Sequence, residues 1–221
     1  MYKRQVLFCP TEQAIKNLHQ EGFKQFPCTL LNCGDVMQDA ALFYANKAKC
    51  PDFSLPEHFI LATLHRAENT DSPERLQSII AALEEIAREM PVVIPIHPRT
   101  RKKLQELNFD FKQTRLQLVD PVGYLEMVHL LKHCSLVATD SGGLQKEAYF
   151  FKKYCITLRT ETEWVELVEQ GANIITGWRY EDILNNYKQL KHTTKDVFSS
   201  PLYGDGEAGH IIIRELQRID S

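Results

Sequence analysis

Residues 136–147 read LVATDSGGLQKE, an apolar run of strand length followed at once by two glycines and a helical pattern. Gly142 and Gly143 have no Cβ, so an anion can approach the backbone where free N–H groups and the positive end of the helix dipole face it. Glu147 lies one helical turn beyond Gly143, at the distance where its carboxylate can accept hydrogen bonds from sugar hydroxyls. The segment predicts a strand-to-helix turn, either a simple tight turn or one that binds a nucleotide phosphate.

Short apolar runs alternate with helical patterns along the rest of the chain. The predicted strands are 59–64, 92–96, 116–119, 136–139, 155–158 and 173–175. The first predicted helix is capped by Ser72 and starts at Pro73. Further helices are predicted at 100–107, 124–133, 143–151, 163–169 and 180–191. Helical crossovers between strands require a largely parallel sheet covered on both faces, so we predict a doubly wound, Rossmann-like α/β fold.

Polar and cationic residues follow the predicted strands at their carboxyl ends, where doubly wound sheets bind ligands. His65 and Arg66 follow the first strand, His97 follows the second, Ser141 precedes the two glycines, and Arg159 follows a later strand. A lone histidine or arginine at a strand end usually caps a carbonyl or pairs with a surface acid. Because four strand ends agree, we expect the histidines and arginines to contact a diphosphate, arginine through bidentate hydrogen bonds and histidine as a donor.

The composition excludes several classes of protein. With 221 residues, of which 43% are hydrophobic and 25% charged, the chain can bury a full core. A net charge of −3 provides no general basic surface, so nucleic acid and anionic membrane are not expected as partners. The six cysteines fit neither a disulfide framework nor a zinc pattern, and no signal peptide or membrane-spanning run appears. We expect a reduced, cytoplasmic protein without a bound metal or membrane insertion.

The start of the chain has a pattern of its own. Residues 6–21 predict a short strand and an amphipathic helix ended by Gly22. An isolated strand and helix bury too little surface to be stable alone, so they either pack on the main sheet or belong to a domain that the chain lacks. We favour the second alternative. Residues 46–57, with two prolines and mixed charge, predict a linker.

Five motifs follow one another along the chain: TLHRAEN at 63–69, IHPR at 96–99, PVGYLEM at 121–127, TDSGGLQKEA at 139–148 and YGDG at 203–206. Their order resembles that in the non-hydrolysing UDP-N-acetylglucosamine 2-epimerases, a family that the chain resembles from Leu7 onward. The resemblance implies the second lobe of a glycosyltransferase-B-like fold, in which two Rossmann-like lobes enclose the substrate. It also implies four segments: 1–45 as the remnant of the N-terminal lobe, 46–57 as a linker, 58–200 as the UDP-binding lobe and 201–221, with a helix at 208–219, returning toward the first lobe.

The resemblance also implies roles for individual residues. Family members invert C2 of a UDP-2-acetamido sugar by eliminating UDP and adding it back, which needs no cofactor. His65 resembles the active-site histidine of the family. The positions that resemble its UDP ligands are Ser141, Gly142 and Gly143 for the diphosphate, Glu147 for the ribose and Met127 for the uracil. The family's proton-transfer carboxylates lie in the first lobe, so we expect no general base here and no activity of this chain alone. A homodimer is expected of the full-length enzyme.

One segment departs from the family pattern. Residues 160–166 read TETEWVE, where the acetylglucosamine enzymes commonly have TTERPE and use that arginine at the ligand. The variant resembles the branch that acts on UDP-2,3-diacetamido-2,3-dideoxyglucuronate, so the sugar stays open. Trp164 lies either at the ligand or in the core. Glu68 is predicted to be an ion-paired structural partner rather than a base. Two other functions also stay open: a glycosyltransferase of the same fold, and a catalytically silent UDP-binding module.

Overall fold

The computed structural model of the chain describes residues 6–193 and 196–219. Contacts define two compact units, whose described parts are residues 6–46 with 199–219 and residues 47–193 with 196–198. The outermost residues of the predicted terminal segments, 1–5 and 220–221, lie outside the described part. The elements in chain order are β1 (Val6–Cys9), α1 (Glu12–Gln20), β2 (Thr29–Asn32), α2 (Val36–Ala45), β3 (Ile60–Thr63), α3 (Ala67–Thr70), α4 (Pro73–Ile86), β4 (Val92–Pro95), α5 (Pro98–Glu106), β5 (Gln117–Val119), α6 (Tyr124–His133), β6 (Leu136–Thr139), α7 (Gly142–Phe150), β7 (Cys155–Thr157), α8 (Val165–Glu169), β8 (Asn173–Ile175), α9 (Tyr180–Lys191) and α10 (Ala208–Ile219).

The smaller unit contains a two-stranded parallel sheet in which β1 pairs with β2. The strand and helix expected at the start of the chain are present as β1 and α1, but β2 is an additional strand. Helix α2 follows it, and Asp35 caps α2 by accepting a hydrogen bond from the Met37 N–H at 2.8 Å. Asp39 in α2 accepts from the backbone N–H groups of Ala208 and Gly209, at 3.2 and 2.7 Å. A carboxylate of α2 therefore caps the first turn of the C-terminal helix α10.

The turn after β2 makes a second connection to the C-terminal segment, and it requires glycine. Gly34 has φ +82°, and a Cβ there would lie 2.9 Å from the Tyr203 carbonyl oxygen. We expect Gly34→Ala to lower the free energy of unfolding by about 3 kcal/mol, because backbone strain and a backbone clash add together. Gly22 is a matched control with φ +87° and nothing within 4 Å of its Cβ position. Gly22→Ala should cost about 1 kcal/mol, from strain alone.

Chemical denaturation of both variants measures the difference. Equal losses for Gly34→Ala and Gly22→Ala would show that the contact with Tyr203 adds nothing to the stability of this unit.

The larger unit is a six-stranded, fully parallel sheet in the order β5-β4-β3-β6-β7-β8. Every residue of β3 and β6 is buried, as expected for central strands that have helices on both faces. Alternate residues face opposite sides: Ile60 packs with α4 and α9, and Leu61 packs with α6 and α7. The predicted doubly wound α/β fold is confirmed, with strand ends shifted by a residue or two and the short helix α3 added.

The predicted linker packs on this larger unit. Phe53 and Leu55 contact the core cluster that contains Leu61. The Lys49 N–H donates to the Leu125 carbonyl at 3.1 Å, and the Gln117 side chain donates to the Ser54 carbonyl at 2.7 Å. This segment is therefore ordered against the larger unit.

The order of the strands locates a crevice. The chain moves from β3 outward to β4 and β5, then returns to the other side of β3 to begin β6. The strand order therefore reverses its direction at β3, and the loops that leave β3 and β6 diverge. Doubly wound sheets bind ligands in the crevice that forms at such a reversal, outside the carboxyl ends of the strands.

Candidate functional site

A buried carboxylate organises the crevice between β3 and β6. Asp140 is fully buried and accepts hydrogen bonds from the backbone N–H groups of His65, at 3.1 Å, and Arg66, at 2.9 Å. It also accepts from the Asn69 amide at 3.3 Å, and Asn69 in turn donates to the Leu158 carbonyl at 2.8 Å. These bonds fix the loop after β3 against β6 and hold the His65 ring at the surface, with Nδ1 3.8 Å from Asp140. Asp140 thus positions His65, a role that was not predicted.

A cavity of about 300 Å³ opens at this carboxyl edge. Its wall includes apolar side chains such as Val122 and Leu144. The predicted site residues that line it are His65, His97, Met127, Ser141, Gly143 and Glu147. They are separated by as many as 82 positions in the chain, from 65 to 147, and the sheet brings them to one edge.

The first turn of α7 supplies hydrogen-bond donors to this cavity. Ser141 is the N-cap residue, and its side chain makes no capping hydrogen bond. Its own N–H donates to the Thr139 hydroxyl at 2.9 Å. The first N–H groups of a helix have no intrahelical acceptor, so those of Gly142, Gly143 and Leu144 are available to an anion at the positive end of the helix dipole.

Two further side chains give the cavity its polarity. Burial raises the pKa of the Glu147 carboxyl, while a hydrogen bond from Tyr124 and the charge of Lys146 act in the opposite direction. His97 Nδ1 accepts a hydrogen bond from the Arg99 N–H at 3.2 Å. In the neutral ring the proton is therefore on Nε2, which makes this atom a donor.

Arg66, Gly142 and Arg159 are not among the described residues that line the cavity. The Gly142 carbonyl is turned to the Trp164 indole, whose Nε1 donates to it at 2.8 Å. Arg66 is exposed, and its guanidinium lies 3.7 Å from the position that a Gly142 Cβ would take. This places Arg66 beside the first turn of α7 rather than in the wall of the cavity.

Arg159 is held by carboxylates of its own chain. Its guanidinium is buried and bonds to Glu68 at 3.1 Å and to Glu163 at 2.9 and 3.0 Å. The hydrogen bond and charge of Glu163, followed by the charge of Glu68, raise the pKa of Arg159. Glu68, expected to be an ion-pair partner, thus pairs with Arg159. The predicted contact of Arg159 with a diphosphate stays a prediction, and in the free chain Glu68 and Glu163 accept hydrogen bonds from its Nε and Nη1.

Other features of the described residues bear on what this protein can bind. A larger cavity, of about 490 Å³, lies along α4 and α5 and is lined by Leu104, Leu107 and Phe109. Its Glu84 carboxylate accepts from Thr114 and from the Arg115 N–H, and Glu85 forms an ion pair with Arg88. In residues 6–193 and 196–219, no three His, Cys, Asp or Glu side chains come together as metal ligands. No described helix combines the length and apolar character needed to cross a membrane.

Together, the fold and the cavity between β3 and β6 define a doubly wound α/β lobe of the class that binds ligands at the carboxyl ends of its strands. Residues 4–217 match the family described as UDP-N-acetylglucosamine 2-epimerase. The chain belongs to this family, which confirms the resemblance seen in its motifs.

Two relatives illustrate the similarity. The chain is 49% identical over 217 residues to the UDP-2,3-diacetamido-2,3-dideoxy-D-glucuronate 2-epimerase of Pseudomonas aeruginosa. It is 37% identical over 223 residues to the UDP-N-acetylglucosamine 2-epimerase of Methanocaldococcus jannaschii. These matches cover 97% and 95% of the chain but 60% of each relative. The chain therefore spans about three fifths of the length of these relatives.

Solved structures agree with this assignment. The crystal structure of the Methanocaldococcus jannaschii enzyme in complex with UDP-GlcNAc and UDP superimposes with a TM-score of 0.84 at 36% identity, covering 97% of the chain and 61% of that protein. The Neisseria meningitidis enzyme bound to UDP-GlcNAc gives a TM-score of 0.82 at 28% identity, covering 97% and 62%. These neighbours have the glycosyltransferase-B-like fold that was predicted.

Proposed function

We propose that the protein containing this chain is a UDP-sugar 2-epimerase and that the chain contributes the UDP-binding half of its site. The observation that carries this proposal is the cavity at the start of α7, where six of the predicted site residues meet. The named ligands of related structures, UDP-GlcNAc and UDP, support the same ligand class.

The proposed orientation follows from the chemistry of the cavity. The diphosphate would lie against the N–H groups of the first turn of α7, beside Ser141 and Gly143. Glu147, one turn further on, would accept hydrogen bonds from the ribose hydroxyls, and Met127 would contact the uracil. Negative charge grows on the diphosphate as the bond to the sugar breaks, so donors fixed around it stabilise the transition state and retain UDP for re-addition.

His65 has a different role in this proposal. The Asp140 carboxylate holds its backbone, while its ring lines the cavity and is 43% exposed in the side chain. A histidine in this position can donate to the oxygen that leaves the sugar. We assign no general base within the chain, and we expect the chain alone to bind UDP without epimerising it. A homodimer of the full-length protein stays a prediction.

The substrate that we propose within this class is a UDP sugar that carries a carboxylate. Identity is 49% to the diacetamido-glucuronate enzyme and 37% to an acetylglucosamine enzyme, and the TETEWVE segment differs from the common TTERPE pattern. We therefore propose UDP-2,3-diacetamido-2,3-dideoxyglucuronate as the preferred sugar. The values of kcat/KM for this sugar and for UDP-N-acetylglucosamine measure the preference. A higher kcat/KM for UDP-N-acetylglucosamine would contradict the proposed substrate.

Proton exchange tests the reaction itself. The full-length protein is incubated with each UDP sugar in deuterated water, and the product is examined for deuterium at C2. An epimerase that eliminates and re-adds UDP incorporates deuterium there. Transfer of the sugar to an acceptor without exchange would identify a glycosyltransferase, and UDP binding with neither reaction would identify a silent binding module.

A further inference from the structure

Trp164 is tied to the first turn of α7 from outside the cavity. It precedes α8, and its indole Nε1 donates to the Gly142 carbonyl at 2.8 Å. The ammonium group of Lys146, which is buried, lies 4.4 Å from the centre of the indole ring. Trp164 is not one of the described residues that line the cavity, whereas Gly143 is. The hydrogen bond to the Gly142 carbonyl connects Trp164 to the cavity through the backbone of α7.

The backbone provides such a connection. The Gly142 carbonyl and the Gly143 N–H belong to the same planar peptide group, which is polarised as a unit. A hydrogen bond accepted by the carbonyl makes the N–H of that peptide a stronger donor. The cation over the indole withdraws electron density from the ring and strengthens the Nε1 donor in turn. Since the Gly143 N–H has no acceptor within the helix, its added donor strength is available to an anion in the cavity.

We propose that Trp164 is a positioning residue that acts through the Gly142–Gly143 peptide. With Lys146 it forms a relay that orients this peptide and strengthens the Gly143 N–H toward the diphosphate of UDP. The proposal rests on the proposed function, because the anion that it concerns is the diphosphate of that ligand. It also gives Trp164 a role that is neither direct ligand contact nor simple core packing.

The test compares Trp164→Phe with Trp178→Phe in the whole chain. Phenylalanine keeps an aromatic ring beside Lys146 and removes the N–H donor together with part of the ring volume, and the second effect should act on both ligands equally. Trp178 is the other tryptophan, and it contacts Arg75 and Arg179 rather than α7. Calorimetric titration gives the affinity for UDP and for uridine, which lacks the diphosphate. We expect Trp164→Phe to weaken UDP binding about threefold and to leave uridine binding unchanged, and Trp178→Phe to change neither.

The outcomes separate the two proposals. If the unmodified chain binds UDP no more tightly than uridine, the diphosphate site is wrong and the proposed function fails with it. If the unmodified chain prefers UDP but Trp164→Phe retains the full UDP affinity, or weakens both ligands equally, the relay alone is overturned.

A second variant keeps the proposal testable if Trp164→Phe does not fold. Lys146→Met removes the cation and leaves the indole and its hydrogen bond in place. We expect the amide proton of Gly143 to move upfield in the NMR spectrum of the free variant, because the peptide is less polarised. An unchanged Gly143 resonance together with unchanged UDP affinity would overturn the relay.

Discussion

Replacement of Asp140 by alanine is expected to lower the free energy of unfolding by about 3 kcal/mol, since each buried donor left without an acceptor costs about 1–3 kcal/mol. The variant leaves the N–H groups of His65 and Arg66 and the amide of Asn69 without the acceptor that they have in the native chain. UDP affinity should fall as well, because the loop that carries His65 is released from β6. Denaturant unfolding and calorimetric titration measure the two effects.

Asp120 provides the matched control for this variant. It follows β5 as Asp140 follows β6, but its side chain is 94% exposed and makes only a 3.5 Å ion pair with Arg101. Asp120→Ala should change stability by no more than about 0.5 kcal/mol. If the two alanine variants unfold at the same denaturant concentration, Asp140 does not hold the site together.

Replacement of Glu147 by glutamine is expected to have opposite effects on stability and binding. Burial raises the pKa of Glu147, so the ionised carboxylate is less favourable in the free native chain than in the unfolded chain at neutral pH. Glutamine removes this cost and should raise the midpoint of unfolding. It also removes the charged acceptor for the ribose hydroxyls, which should weaken UDP binding about 30-fold.

Exposed Glu169 in α8 is a suitable control, because Glu169→Gln leaves the cavity unchanged. Equal UDP affinity in Glu147→Gln and the native chain would remove Glu147 from the proposed site.

The raised pKa of Glu147 predicts that stability and UDP affinity change in opposite directions with pH. Between the ordinary pKa of about 4.3 and its raised value in the folded chain, the native state holds more protons than the unfolded state. The contribution of Glu147 to stability is therefore present below this window and is lost as the pH rises through it. UDP affinity should rise over the same window, because only the ionised form accepts both ribose hydroxyls. Glu147→Gln should lack both of these pH dependences. Denaturant unfolding and calorimetric titration with UDP, each repeated across this pH range, measure them.

The larger sheet was predictable because its central strands are buried on both faces. Such strands appear as continuous apolar runs, and Ile60–Thr63 and Leu136–Thr139 are examples with every residue buried. The strand Thr29–Asn32 was missed because it is short and only half-buried, so its pattern is weak. The rule that ligands bind at carboxyl ends of strands led to the edge of the sheet where the cavity opens and to six of the residues that line it.

Long-range pairing accounts for what the sequence pattern missed. Asp140 meets the His65 N–H across 75 positions, and Arg159 meets Glu68 across 91. The rule that ligands bind at the carboxyl ends of strands places Asp140 and Arg159 at that edge of the sheet. It does not say which side chains turn inward to partners and which face the ligand. Asp140 directly follows a buried strand and precedes a glycine pair, which is the one local signal for its role.

A crystal structure of the chain with UDP tests the central claim most directly. We predict the diphosphate within hydrogen-bond distance of the Gly143 N–H, the ribose hydroxyls at the Glu147 carboxylate and the uracil against Met127. UDP bound along α4 and α5, or with its diphosphate away from the first turn of α7, would contradict the proposed site.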